Sequence, residues 1–124
     1  MKLRTNEFDR AVDRAVRRIP EEIRSHLENV VITVRDRPTR DMLEDVGAPP
    51  GETLLGLYQG AALTERSFFD PVEYPDTIFV FQEPLEEMCE TLEELEKEIE
   101  ITVVHEVAHF LGIEEERLAE LGYE

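Results

Sequence analysis

The sequence predicts an α+β fold in which one sheet is flanked by helices. Two runs of β-branched and apolar residues, 30–35 and 77–82, have the composition of strands. Two other segments, 5–19 and 92–111, carry apolar residues at the three-to-four spacing of amphipathic helices. Because these elements follow one another without internal repeats or a long linker, we expect a single domain over residues 1–124.

Two helices are predicted before the first strand. The apolar stripe of residues 5–19 stops at Pro20, because proline interrupts the hydrogen bonds of a helix. Proline is well tolerated in a first turn, so Pro20 also suits the start of a second helix over residues 20–29. The strand at 30–35 then ends before Pro38.

The middle of the chain is predicted to alternate between strands and irregular segments. Prolines and glycines crowd residues 38–52, which we expect to be mostly loop with a short helical turn. Residues 54–60 have the pattern of a strand bordered by glycines, and residues 61–76 are expected to be irregular again. The strand at 77–82 is the clearest of the chain, because five of its six residues favour β-structure. Pro84 then opens a short helical piece.

The last long helix has well-marked ends. Thr91 is followed three residues later by Glu94, which is the capping-box pattern and predicts a helix that begins at Leu92. Its apolar stripe runs to about Leu111, and Gly112 suits the left-handed residue that follows a last turn. We expect the buried stripe of this helix to consist of Leu92, Leu95, Ile99, Val103 and Val107.

The composition of the chain argues against several classes of protein. The 13 basic and 30 acidic residues give a formal net charge of −17, which disfavours binding to the phosphate backbone of nucleic acids. The single cysteine, Cys89, excludes an intramolecular disulfide and a cysteine-based zinc knuckle. The sequence has neither an apolar run long enough to span a membrane nor the apolar core of a signal peptide. We therefore expect a cytoplasmic protein without membrane contact, whose oligomeric state the sequence leaves open.

The strongest chemical signal lies in the segment TVVHEVAHFLG. His105 and His109 are four residues apart, so a helix presents both imidazoles on one face, and neutral imidazole is a good zinc ligand. Glu106 is rotated by about 100° from His105 around the helix, where it can act as the general base on a water that zinc activates. The flanks of the motif are strongly apolar, so we expect it to lie in a buried stretch, where a metal makes ionisable groups tolerable.

A third ligand is expected after Gly112. That glycine lets the backbone turn back towards the histidines, so the acidic run that follows offers three candidate carboxylates. Glu115 is favoured, because it completes the pattern H-E-x-x-H-x-x-G-x-x-E, which resembles the extended metzincin motif. Glu114 and Glu116 remain alternatives. His26 is far away along the chain and is expected to be an ordinary surface or core residue.

Four segments together resemble a known family: NVVITV, LLGLYQG, PDTIFVFQEPL and TVVHEVAHFLGIEEERL. They are similar to the small bacterial zincin-like family of minimal, zinc-dependent metallopeptidases, long catalogued as a domain of unknown function. The similarity runs over about residues 8–123. It implies that His105 and His109 bind Zn²⁺, that Glu106 is the base and that position 115 holds the third ligand. The family motif has an aspartate at that position, so Glu115 is a departure from it.

The resemblance also implies an architecture. It is the minimal zincin-like fold, with a small mixed sheet packed on N-terminal helices and a C-terminal active-site helix. True metzincins have a methionine after the motif and a further subdomain, for which this sequence has no room, so an open cleft and slow cleavage are expected. As a secondary hypothesis the hydroxyl of Tyr58 or Tyr123 stabilises an oxyanion, although packing is the commoner role of such a phenol.

The sequence therefore predicts a zinc-dependent metallopeptidase that acts on a peptide or protein substrate. The alternative is a zinc-binding domain with a structural or regulatory role and little or no peptidase turnover, and a metal-free protein with a chance motif comes third. Two related metalloenzyme classes fit poorly. Peptide deformylase has its cysteine in a Gly-Cys-Leu context that Cys89 lacks, and the small ribosomal-RNA-processing endonucleases have a histidine where Glu115 stands.

Overall fold

The architecture was obtained as a computed structural model, which describes residues 1–60 and 76–123. The helices are α1 (Thr5–Arg17), α2 (Glu21–Arg24), α3 (Arg40–Asp45), α4 (Gln82–Met88), α5 (Leu92–Leu111) and α6 (Glu115–Glu120). The strands are β1 (Val30–Arg35), β2 (Gly56–Gln59) and β3 (Asp76–Phe81). A 3-10 turn at Ser25–Leu27 continues α2. The irregular segment expected at 61–76 lies, apart from Asp76, outside the described residues.

The three strands form one mixed sheet in the order β1-β3-β2. Strand β1 runs parallel to β3, with Ile32 opposite Ile78. Strand β2 runs antiparallel to β3, with Tyr58 opposite the same Ile78. A parallel and an antiparallel neighbour on one central strand make the sheet mixed, so the predicted α+β fold with a small mixed sheet is confirmed.

Helix α5 is the element around which the core is built. It packs against α1 on one side and against β2 and β3 on another. Apolar side chains of α1, α5 and β3 fill the contact, among them Phe8, Ala15, Ile78, Val80, Leu95, Ile99 and Val103. Leu92 does not join them, because it stands at the first position of α5 and is 41% exposed. No helix in the described ranges has the length and apolarity that crossing a lipid bilayer would need.

The ends of α5 follow local chemistry. The hydroxyl of Thr91 accepts the backbone N–H of Glu94 at 3.1 Å, as the capping pattern predicts. The Glu94 carboxylate accepts the N–H of Glu90 at 2.9 Å, one residue earlier than in the standard capping box. At the other end Gly112 is left-handed, with φ 71° and ψ 30°, and turns the chain out of the helix.

The largest differences from the sequence-based expectation concern three helices. Helix α4 begins at Gln82, two residues before the expected Pro84, because proline is tolerated throughout a first turn. The short turn expected within 38–52 is a helix of six residues, capped by the Thr39 hydroxyl on the N–H of Met42 at 3.1 Å. Helix α6 was not predicted as a helix.

Candidate functional site

The two histidines of the motif lie on one face of α5. His105 and His109 are one helical turn apart and line the same cavity, whose volume is about 780 Å³. This cavity lies between the last turns of α5 and helix α6. Much of its wall is apolar, formed by Ala108, Ile113, Leu118, Ala119 and Tyr123. His105 is half-buried and His109 is exposed, so the imidazoles can be reached from solvent.

The motif spans the boundary between the core and the solvent. Val104, Val107 and Ala108 are buried, but Phe110 is 52% and Leu111 is 44% exposed. The predicted buried stretch therefore includes Val104, Val107 and Ala108, but it does not extend to Phe110 and Leu111. The last turn of α5 carries apolar side chains that the described part of the chain covers only in part.

The turn at Gly112 places acidic residues in the wall of the cavity that the histidines line. Glu115 is the first residue of α6 and lines the same cavity as His105 and His109. Glu116 also lines this cavity, whereas Glu114 is the N-cap residue of α6 and is not part of the wall. His26 is exposed in the 3-10 turn after α2 and has no place in the wall either.

The donor groups share a cavity without forming a finished coordination sphere. Within residues 1–60 and 76–123, no three side chains of His, Cys, Asp or Glu are gathered closely enough to hold a metal ion. The chemical types nevertheless fit zinc, because two imidazoles on one helix face and one carboxylate are a common ligand set of catalytic zinc sites. His105 and His109 of α5 and Glu115 of α6 line the cavity and provide these donors.

Glu106 faces strand β2. Its Oε1 accepts the backbone N–H of Tyr58 at 2.8 Å, which fixes the direction of the carboxylate. Burial raises the pKa of Glu106, because the charged form loses water, while the Tyr58 N–H and the two neighbouring histidines act in the opposite direction. The sequence motif gives no sign of the Tyr58 contact, since it is made by a backbone group of another element.

A second cavity, of about 530 Å³, lies between α5 and β2. Glu106 and His109 line it together with Gly56, Tyr58 and apolar side chains. Because His109 lines both cavities, it stands at their border, with Glu106 on the β2 side. Gly56 was not singled out from the sequence, although a glycine within a strand pattern is a known sign of close backbone approach.

Both tyrosine hydroxyls considered for oxyanion stabilisation are bonded to carboxylates. Tyr58 donates to Oδ2 of Asp76 at 2.7 Å, and burial together with this bond raises the pKa of Tyr58 to about 12. Its ring stacks on Phe110, with 3.9 Å between the centroids. Tyr123 donates to Glu100 at 2.7 Å. These contacts favour the packing role for both phenols.

Residues 27–123 match the family model of the zincin-like metallopeptidases. The match covers well over half of the chain and includes all three strands, α5 and α6. The chain belongs to this zincin-like metallopeptidase family. The resemblance predicted from the sequence segments is thereby confirmed.

A solved structure shares the zincin-like chain's fold. A conserved hypothetical protein from Thermus thermophilus superposes with a TM-score of 0.59, and the match covers 94% of this chain and 98% of that one. The two sequences are 23% identical, so this likeness shows the fold alone. Among curated proteins, none matches the chain.

Proposed function

We propose that this chain is a zinc-dependent metallopeptidase that hydrolyses peptide bonds. In this proposal His105, His109 and Glu115 hold the zinc ion and Glu106 is the general base. The observation that carries the proposal is the shared cavity, in which two imidazoles of α5 and a carboxylate of α6 line one space. Membership of the zincin-like metallopeptidase family supports the same class of reaction.

Glu106 is suited to moving a proton. Because burial raises the pKa of Glu106, its carboxylate is a stronger base than that of an exposed glutamate. The Tyr58 N–H orients the group, so it need not be reoriented during the reaction. Glu106 accepts a proton from the attacking water and passes it to the leaving amine. When bound, zinc supplies the Lewis acid that activates the water and polarises the scissile carbonyl.

The proposed substrate is a peptide or a flexible protein segment. An extended chain can lie across both cavities that meet at His109, and it can bring a backbone carbonyl close to the exposed imidazole. The net charge of −17 favours neutral or basic peptides over acidic ones, because like charges repel during the encounter.

The function is tested with Glu106→Gln and a random peptide library. We expect wild-type protein purified without added metal to contain zinc by elemental analysis and to cleave peptides. Glu106→Gln keeps the side-chain length and should retain zinc while losing cleavage at least about 100-fold, because it cannot accept the proton. Glu93→Gln is the matched control, since Glu93 is exposed in the first turn of the same helix.

Each negative outcome has a different meaning. Zinc binding with equal behaviour of wild type and Glu106→Gln would refute catalysis by Glu106 and favour a structural or regulatory zinc domain. A chain that binds no zinc would refute the proposed site. If Glu93→Gln also lost cleavage, the loss in Glu106→Gln would be due to the change in the charge of α5 and not to the removal of a general base.

A further inference from the structure

A buried acidic side chain on α5, Glu100, has no part in the reaction proposed above. It is 5% exposed, and taking a carboxylate out of water is costly unless other groups hydrogen-bond to it. The hydroxyl of Tyr123 donates to its Oε2 at 2.7 Å. Two cations complete the surroundings, with Lys97 Nζ 3.4 Å from Oε2 and Arg18 Nε 3.6 Å from Oε1. Glu100 is therefore a well-supported acceptor for the tyrosine.

Tyr123 is also held by its ring and its backbone. The side chain is 5% exposed, and the Lys97 ammonium lies 5.5 Å from the ring centroid. The backbone N–H of Tyr123 donates to the carbonyl of Leu118 at 2.7 Å. Through these contacts Tyr123 is bound to α6 by its backbone and to α5 by its hydroxyl.

Helix α6 depends on such attachments. A helix of six residues is not stable by itself in water, so tertiary contacts must hold it in place. Leu118 is its one buried residue, at 7% exposure. Glu115 stands exposed at the first position of this helix, directly after the turn at Gly112. The place of the Glu115 carboxylate is therefore set by whatever fixes α6 to the rest of the fold.

We propose that the Tyr123–Glu100 hydrogen bond is a latch that positions Glu115 for zinc binding, an inference that rests on the proposed zinc site. Glu100 lies on the same helix as His105 and His109, so the latch fixes α6 directly to the element that carries the other two ligands. A hydrogen bond also has a fixed direction, which apolar packing lacks. Tyr123 and Glu100 are positioning residues and do not bind the metal themselves.

The latch is tested by the zinc affinity of Tyr123→Phe, measured by competition with a chromophoric chelator. Phenylalanine keeps the ring that lines the cavity and removes only the hydroxyl. We expect the zinc dissociation constant to rise by about tenfold, the lower end of the effect of losing a group that orients a metal ligand. Glu100→Gln should change the affinity in the same direction.

The matched control is Glu96→Gln. Glu96 lies one turn before Glu100 on α5 and pairs with Arg14 at 2.8 Å and with Arg18 at 3.6 Å, both at the C-terminal end of α1. Its loss therefore weakens the contact between α1 and α5 rather than the contact with α6. We expect its zinc affinity to equal that of wild type. In zinc-free protein, amide hydrogen exchange in α6 should be faster in Tyr123→Phe than in Glu96→Gln. Equal exchange in the two variants would overturn the latch.

A second background separates positioning from general folding. In Glu115→Ala the hydroxyl of Tyr123 has no ligand left to position. Adding Tyr123→Phe to this background should cause no further rise of the dissociation constant. The same rise in both backgrounds would overturn the latch, because the hydroxyl would then act on the fold as a whole.

Failure of the latch can be told from failure of the zinc site. If Glu115→Ala weakens zinc binding and Tyr123→Phe does not, the latch is wrong and the site stands. If Glu115→Ala leaves the affinity unchanged, Glu115 is not a ligand and the latch falls with it. A wild-type chain that binds no zinc refutes the proposed function itself, and the latch with it.

Discussion

At the scale of single residues, Gly56 determines how closely strand β2 packs on helix α5. A Cβ at this position would lie 2.6 Å from Cγ2 of Thr102 and 3.1 Å from the carbonyl oxygen of Phe79. The first distance is shorter than a Cβ atom allows and the second is tighter than most Cβ contacts, so the strand or the helix would have to move. The same Cβ would lie 3.7 Å from Cγ of Glu106, and a shift at Gly56 would therefore reach the proposed base.

We expect Gly56→Ala to lower the free energy of unfolding by about 1–3 kcal/mol, the usual cost of overfilling a packed contact. Chemical denaturation measures this change. Gly60→Ala is the control, because its Cβ would meet the half-exposed ring of Phe110, at 3.1 Å, and that ring can move away. Thr102→Ser removes Cγ2 and should restore part of the stability of Gly56→Ala. Equal losses at Gly56 and Gly60 would contradict this account.

At the scale of the elements, α6 is joined to α2 by an ion pair. Arg117 Nε donates to Oε2 of Glu22 at 2.7 Å, and a second guanidinium nitrogen donates to Oε1. Hydrogen bonding to Arg117 holds the pKa of Glu22 below its ordinary value of 4.5. Both side chains are about half exposed, so solvent screens the pair and its contribution to stability is small.

The sign of the pH dependence follows from this pKa. A carboxyl whose pKa is lower in the folded chain contributes stability above its unfolded pKa, and that contribution is lost as the pH falls through the folded value. We expect Glu22→Gln to melt slightly below wild type at neutral pH, with the difference vanishing as the pH falls below 4.5. Melting temperatures of both proteins across this range measure the effect.

Glu21→Gln serves as the control for this prediction. Glu21 pairs with Arg24 inside α2 at 2.5 Å, so its loss leaves the link to α6 intact. Faster hydrogen exchange in α6 should therefore occur in Glu22→Gln and not in Glu21→Gln. A melting difference between wild type and Glu22→Gln that stays constant down to acid pH would show that the Arg117 pair is not its cause.

Element boundaries could be predicted wherever local chemistry fixes them. Helix α5 begins after Thr91 and ends before Gly112 as expected, because a cap and a left-handed glycine act within one turn. Helix α6 was not predicted, because the residues that hold it in place, Glu22 and Glu100, are distant from it in the sequence. Six residues without a strong apolar period give no local signal of their own.

At the scale of the whole molecule, zinc should stabilise the fold. A ligand that binds the folded chain alone adds about 2.7 kcal/mol at a free concentration of 100 times its dissociation constant. We expect zinc to raise the melting temperature by several degrees and a chelator to reverse the rise. His105→Ala and His109→Ala should lose the shift, whereas His26→Ala should keep it, because His26 lies outside the cavity. A shift that survives in all three variants would place the zinc elsewhere.

The sequence alone determined the strands, the helices other than α6, the fold class and the candidate donors of this protein. The signals used were the hydrophobic period, the helix caps and the spacing of His105 and His109. Each of them involves residues that are close together in the sequence, so it can be recognised without knowledge of the fold. The ligand role of these residues and of Glu115 stays a prediction.

Only the tertiary structure decided the strand order β1-β3-β2, the contact of Glu106 with the Tyr58 backbone and the bond between Tyr123 and Glu100. It also showed that the last turn of α5 is partly exposed, since about half of the Phe110 surface is accessible to solvent. The physical reason is the distance along the chain. Each of these contacts joins residues that are far apart in the sequence, and no local pattern records which distant group a side chain will meet.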